Sequence, residues 1–140
     1  MMPMVSCDHT YEVRVHSFTP SSGEGLTGCY RVRVWRENLE MTRQETNWVI
    51  ADFGSGDAIF DESFTFHHHS SISKLILSLE MYKPPPMQIE LMNNPPTQEV
   101  GTGPVTLPTE VLKPIEVNVP IFDTDELEKG SIYVILEKTN

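Results

Sequence analysis

The chain has 140 residues, with 20 acidic residues against 10 basic ones and a formal charge of -10. That length suits one domain around a single core, and a hydrophobic share of 39% with a charged share of 21% is that of an ordinary globular protein. The acidic surplus repels DNA, RNA and anionic headgroups over the surface as a whole, so nucleic acid is not an expected partner.

Met1 to Cys7 holds no basic segment followed by an apolar run, so no signal peptide is expected. Residues 1–9 read as a tail before a domain over 10–140. Tyr11 to His16 alternates apolar and polar residues, and Tyr30 to Trp35 does so more strongly. Trp48 to Ala51 is a short apolar run. Ser63 to His68 is a strand entered through an acidic corner, with Phe60, Phe64 and Phe66 on one face and Thr65 on the other. Leu75 to Tyr82 alternates through Leu75, Leu77, Leu79 and Met81. Val100 to Leu107 is interrupted by Gly103-Pro104, which predicts an edge or a bulge. Ile115, Val117, Val119 and Ile121 share a face. Ser131 to Glu137 sets Ile132, Val134 and Leu136 against Tyr133 and Ile135.

Turn residues separate these runs, among them Pro20-Ser21-Ser22-Gly23, Gly54-Ser55-Gly56-Asp57, Pro84-Pro85-Pro86 and Asn93-Asn94-Pro95-Pro96. Short alternating strands between turns predict an all-β, eight-stranded antiparallel Greek-key sandwich. No apolar run approaches the ~18 residues of a membrane span. Cys7 and Cys29 are too few for a disulfide framework and read as reduced thiols. A cytoplasmic location follows, with association to cytoskeleton or membrane. A chain stopping three residues after its closing strand is expected to be a piece of a longer protein.

The order of these signals resembles the C2 domain from end to end. Tyr11-Glu12-Val13-Arg14-Val15 is similar to that family's opening strand, and Thr27 to Val34 sits where it has Ser-Asp-Pro-Tyr-Val-x-Val. Asp57 to Phe66 follows the pattern of its Asn-Pro-x-Trp-Asn-Glu-x-Phe-x-Phe corner. Leu75 to Met81, Val100 to Pro108 and Gly130 to Leu136 resemble later strands. Members often bind calcium between apical loops and so dock on acidic lipid, which takes several converging oxygens. The corresponding positions here fall near Ser22 and on Gly28, Met81 and Lys83, none a carboxylate. The resemblance therefore implies a calcium-independent member, like the C2 domains of ciliary, basal-body and signalling scaffolds. No metal and no cofactor is expected.

Candidate functional residues are few. Arg14, Arg31 and Arg33 lie opposite the valines, and the resemblance implies that the first two strands pair. A stripe ending at Arg36 would then grip a phosphoinositide or an acidic peptide, unless Glu12, Glu37 and neighbouring acids balance it. Met87, Ile89, Leu91 and Met92 follow Pro84-Pro85-Pro86 in a long connection. They would insert into a membrane, fill a partner's groove, or tuck under the sandwich. His67 and His69 have zinc-compatible spacing but no completing ligands, and read as solvated. Asp123 to Glu128 begins like a calcium loop yet has Glu128 where glycine is needed, and reads as an acidic surface loop. Catalytic motifs are missing: there is no Gly-x-Ser-x-Gly, His-Glu-x-x-His or phosphate-cradling loop. The function expected is a non-catalytic module for protein–protein interaction or scaffolding, with an acidic phospholipid as the alternative partner.

Overall fold

The computed structural model describes residues 9–21, 28–51, 57–68, 74–82, 97–108 and 113–139. The alternating runs become strands: β1 (His9–Pro20), β2 (Gly28–Arg36), β3 (Leu39–Glu45), β4 (Val49–Ala51), β5 (Ala58–His68), β6 (Lys74–Tyr82), β7 (Gln98–Thr106), β8 (Ile115–Phe122) and β9 (Glu128–Lys138). Pairing is antiparallel and runs β3-β2-β6-β7-β8-β9-β1-β5, with β4 beside β2. β7 and β8 share one paired position, Thr102 with Phe122. The path therefore divides there into two sheets, β3-β2-β6-β7 with β4, and β8-β9-β1-β5. The expected sandwich is present, with β3 as a strand beyond the eight anticipated.

One face of each sheet makes the core. Val13, Val15, Val32, Val34, Leu75, Leu77, Leu79, Val119, Ile121, Ile132, Val134 and Leu136 are all at most 1% exposed. Burying each such side chain contributes about 1.5–3 kcal/mol. Phe60, Phe64 and Phe66 are buried, as their shared parity requires, while Thr65 faces solvent. Ile115, placed with that apolar face by its spacing, is instead exposed at the strand's start.

Register shifts at several places shape the sheets. β5 bulges opposite His16, where Val15 pairs with Glu62 but Ser17 with Ile59, and Asp61 there has a left-handed φ of 50°. The acidic corner is thus a bulge inside one long strand. β7 bulges where Leu79 pairs with Gly101 but Glu80 with Glu99. Gly103 then passes so close to β8 that a Cβ would overlap the Pro120 carbonyl oxygen. The Gly103-Pro104 interruption accordingly marks the border of its sheet, whereas the bulge lies at Val100 and Gly103 and Pro104 keep regular register with Leu77 and Ile76.

The other side of the sandwich is closed by side chains. Across the gap between β5 and the β2–β3 hairpin, Gln44 Nε2 donates to the Thr65 carbonyl at 2.9 Å and an Arg36 Nη to the His67 carbonyl at 3.2 Å. The Asn47 amide donates to Glu62 Oε2 at 2.7 Å. These bonds occupy edge groups that a second chain would otherwise pair with. Thr46 fills the break between β3 and β4. Its amide donates to the Val32 carbonyl and its hydroxyl oxygen accepts from the Val32 amide, at 2.9 and 3.0 Å.

The topology corrects one expectation outright: β1 and β2 do not pair. β1 lies between β9 and β5, whereas β2 lies between β6 and the β3–β4 segment. β1 and β2 thus find their partners in different sheets. No helix among the described residues is long and apolar enough to cross a membrane.

Candidate functional site

Because β1 and β2 sit in different sheets, the four arginines fall in three places. Arg14 is on the outer face of the second sheet, where its Nε bonds Asp61 Oδ1 at 2.7 Å, both groups about half exposed. Arg36, of opposite parity to Arg31 and Arg33, turns into the seam toward β5. Only Arg31 and Arg33 remain neighbours, on the outer face of the first sheet.

That pair is already engaged. The β2–β6 register sets Arg31 directly opposite Glu80 and Arg33 opposite Ser78. Arg31 Nε donates to Glu80 Oε1 at 2.8 Å and an Arg33 Nη to Glu80 Oε2 at 3.0 Å. The Glu80 side chain is 8% exposed, against 21% for each arginine. A carboxylate so buried is stable as a charge only when paired. From the β3 side, Glu45 Oε2 lies 2.9 Å from Arg31, and Glu45 Oε1 lies 3.5 Å from Arg33 and 3.3 Å from Arg43. The second of these approaches lacks hydrogen-bond geometry, and Arg33 Nε has no hydrogen-bond partner among the described residues.

Aromatic rings extend the network. The Arg31 guanidinium lies 4.4 Å from the centroid of the Trp48 ring, which meets Tyr82 edge-to-face at 4.6 Å. The side-chain hydrogen bond of Tyr82 with Cys29, aided by burial, raises the phenol's pKa above its ordinary value. Cys29 itself is a buried free thiol. Glu80, Glu45 and Trp48 were not singled out from the sequence. Alternation did place Ser78 and Glu80 on the outward side of β6, so the β2–β6 pairing was the missing signal.

The second candidate place is the end of the sandwich where β1, β4, β6 and β8 finish and β2, β5, β7 and β9 begin. A cavity of about 460 Å³ opens there, its floor formed by Phe18, Tyr30, Met81 and Val100. Its rim carries Glu99, Asp123, Asp125 and Lys129. The acidic surface loop read at Asp123 to Glu128 is the tight β8–β9 connection at this rim. Asp123 Oδ1 accepts from the Asp125 amide at 2.8 Å and the Leu127 amide at 3.0 Å, and Oδ2 lies 3.5 Å from Lys129 Nζ. The Leu127 bond is the largest cause holding the Asp123 carboxyl below its usual value, followed by those from Asp125 and Lys129. The Glu126 amide closes on the Asp123 carbonyl at 3.0 Å, and the left-handed φ of 62° at Glu126 then turns Leu127 back toward Asp123. Ile50, Ile59, Phe122 and Leu127 are exposed at or beside this same end.

Of the positions aligned with calcium ligands, Gly28 opens β2 and Met81 lines the cavity floor. Ser22 and Lys83 lie outside the described residues, as do Met87, Ile89, Leu91, Met92 and His69. Among the described residues no three His, Cys, Asp or Glu side chains are grouped to hold a metal ion. His67 Nδ1 lies 3.3 Å from the Thr10 hydroxyl.

Two packed antiparallel sheets with this strand order make the fold that of a C2 domain. Solved structures sharing it include a C2 domain of plant extended synaptotagmin 1, at 12% identity over 93% of this chain and 93% of that one, with a TM-score of 0.68. A C2 domain-containing protein matches at 19% identity over 92% of this chain and 88% of that one, with a TM-score of 0.65. Human GIVD cytosolic phospholipase A2 matches at 14% identity and a TM-score of 0.67, over 97% of this chain but 17% of that one. At such identities the likeness is one of fold. No family model matches the chain, and no curated protein matches it in sequence.

Proposed function

We propose that the chain is a non-catalytic, calcium-independent C2 module that mediates protein–protein contact, a scaffold element in the cytoplasm. The observation that carries this reading is the closure of Arg31 and Arg33 by Glu80 and Glu45, which withdraws the paired arginines from an acidic headgroup. Gly28 and Met81 at positions where a calcium-binding member needs oxygens support the same reading, as does the overall charge of -10. Affinity purification from the native source, in the presence of a calcium chelator, should retain a protein partner and address the cytoskeletal or ciliary setting. Co-sedimentation with phosphatidylserine vesicles that appears only when calcium is added would overturn calcium independence.

A second reading is membrane targeting through Arg14, Arg31, Arg33 and Arg36 with Met87, Ile89, Leu91 and Met92. The exposed Ile50, Ile59, Phe122 and Leu127 at the apical end favour it. Calcium-free sedimentation with phosphoinositide vesicles, lost in Phe122→Asp with Leu127→Asp, would establish it. Retained sedimentation in Arg31→Glu with Arg33→Glu would remove those two arginines from it.

A further inference from the structure

We propose that His9 and His68 form a binding site for a transition-metal ion of the zinc class, at the end of the sandwich opposite the apical cavity. The site is independent of the interaction module and goes beyond it.

The two histidines come together through register. β1 and β5 pair antiparallel with His9 directly opposite His68 and Thr10 opposite His67. Directly opposite residues share a face of the sheet, and their Cβ atoms lie about 4.5–5.5 Å apart. At that spacing two imidazole nitrogens reach one ion at about 2.0–2.1 Å each. His67 falls on the other face by alternation, and its Nδ1 lies 3.3 Å from the Thr10 hydroxyl. The ligand that the spacing of His67 and His69 lacked therefore comes from β1, and it serves His68.

The backbone that carries the pair is held from three sides. The next opposite pair on the same face is Tyr11 with Phe66, 1% and 3% exposed, which anchors the ladder in the core. From the β9 side, the Thr139 amide donates to the Thr10 carbonyl at 2.8 Å. From β2, an Arg36 Nη donates to the His67 carbonyl at 3.2 Å. Two ligands set by a fixed ladder need little further ordering to bind, which is what preorganisation contributes to affinity. Imidazole nitrogen selects the class of ion: zinc, copper and nickel accept it, whereas calcium and magnesium take oxygen. Among the described residues no three His, Cys, Asp or Glu side chains are grouped around an ion, so water completes the coordination. An ion bound there links β5, the last strand of its sheet, to β1.

The test is calorimetric titration of the full chain with zinc chloride at neutral pH. A single saturable site is expected. His9→Ala and His68→Ala should each weaken it about tenfold or more, because one of two protein ligands is lost. His16→Ala, elsewhere on β1, should bind as the parent does. Proton–nitrogen correlation spectra of the histidine rings give a readout in the unmutated chain, free of any effect of substitution on folding. Zinc should shift the ring signals of His9 and His68 together and leave that of His16 in place. No saturable binding, an unchanged affinity in either single alanine variant, or ring shifts that omit His9 would each overturn the proposal. So would affinity lost in His67→Ala with His69→Ala but kept in His9→Ala, which would put the ion on the histidine run alone. Calcium producing the same ring shifts would overturn it too, since the ligands would then be oxygens.

Discussion

Glu80 holds the outer face of the first sheet together, because one buried carboxylate answers two guanidiniums. Glu80→Ala strands Arg31 and Arg33 with only Glu45 opposite them, and breaking a buried pair this way costs about 3–5 kcal/mol. Urea denaturation should show that loss. The triple variant Arg31→Met, Arg33→Met, Glu80→Leu removes the most buried charges and leaves Glu45 with Arg43, so it should cost less than Glu80→Ala alone; if it costs more, the charges themselves stabilise the fold. Asp123 makes a pH-dependent contribution of definite sign. The Leu127 amide, before the other groups, lowers its folded pKa below the ordinary 3.8. The stability it adds is therefore complete above that ordinary value and is lost as pH falls through the lower, folded one. The gap in urea midpoint between the parent and Asp123→Asn should narrow as pH drops from about 5 to about 2. A gap independent of pH would assign the loop's stability to hydrogen bonds that asparagine also makes.

Among the elements, β7 and β3 show what patterning reads and what it misses. The Gly103-Pro104 break correctly indicated a border strand, because glycine and proline each remove something that a central strand needs, while the bulge itself lies at Val100. Gly103→Ala sets a Cβ against backbone on β8, which cannot rotate away, so a loss of about 2 kcal/mol or more is expected in thermal or urea unfolding. β3 left no such trace. Its Leu39-Glu40-Met41-Thr42-Arg43-Gln44-Glu45 has no apolar alternation, since Thr42 and Gln44 serve hydrogen bonds at the edge and Met41 is exposed. Its hairpin turns at Asn38, left-handed at a φ of 66°, without the glycine that would have announced it. Gln44, with Arg36 from β2, instead guards the neighbouring edge of β5. Removing both caps in Arg36→Ala with Gln44→Ala exposes the Thr65 and His67 carbonyls on that strand. Concentration-dependent association should then appear in size-exclusion chromatography with light scattering. A variant that stays monomeric at all concentrations would show that these bonds are not what protects the edge.

For the whole molecule, the core was legible because every central strand alternates, whereas the site depended on which strands meet. Arg31 and Arg33 were recognisable as outward residues from β2 alone. Their neutralisation by Glu80 was not, because it needs the β2–β6 register, a contact between residues far apart in sequence. The same distance hid the separation of Arg14 from them. Net charge, by contrast, is read from composition and acts on the whole fold. A chain of charge -10 repels itself in the compact state. Salt shortens the screening length from about 30 Å at 0.01 M to about 3 Å at 1 M, which relieves that repulsion. The bridges around Glu80 are partly buried and are screened less, while the exposed Arg14–Asp61 bridge contributes little to begin with. The thermal midpoint at neutral pH should therefore rise between those two salt concentrations, followed by circular dichroism in sodium chloride. A fall would mean that the local ion pairs outweigh the global repulsion. The Arg31–Glu80–Arg33 group would then be the place to look, since it is the most buried charge on the described surface.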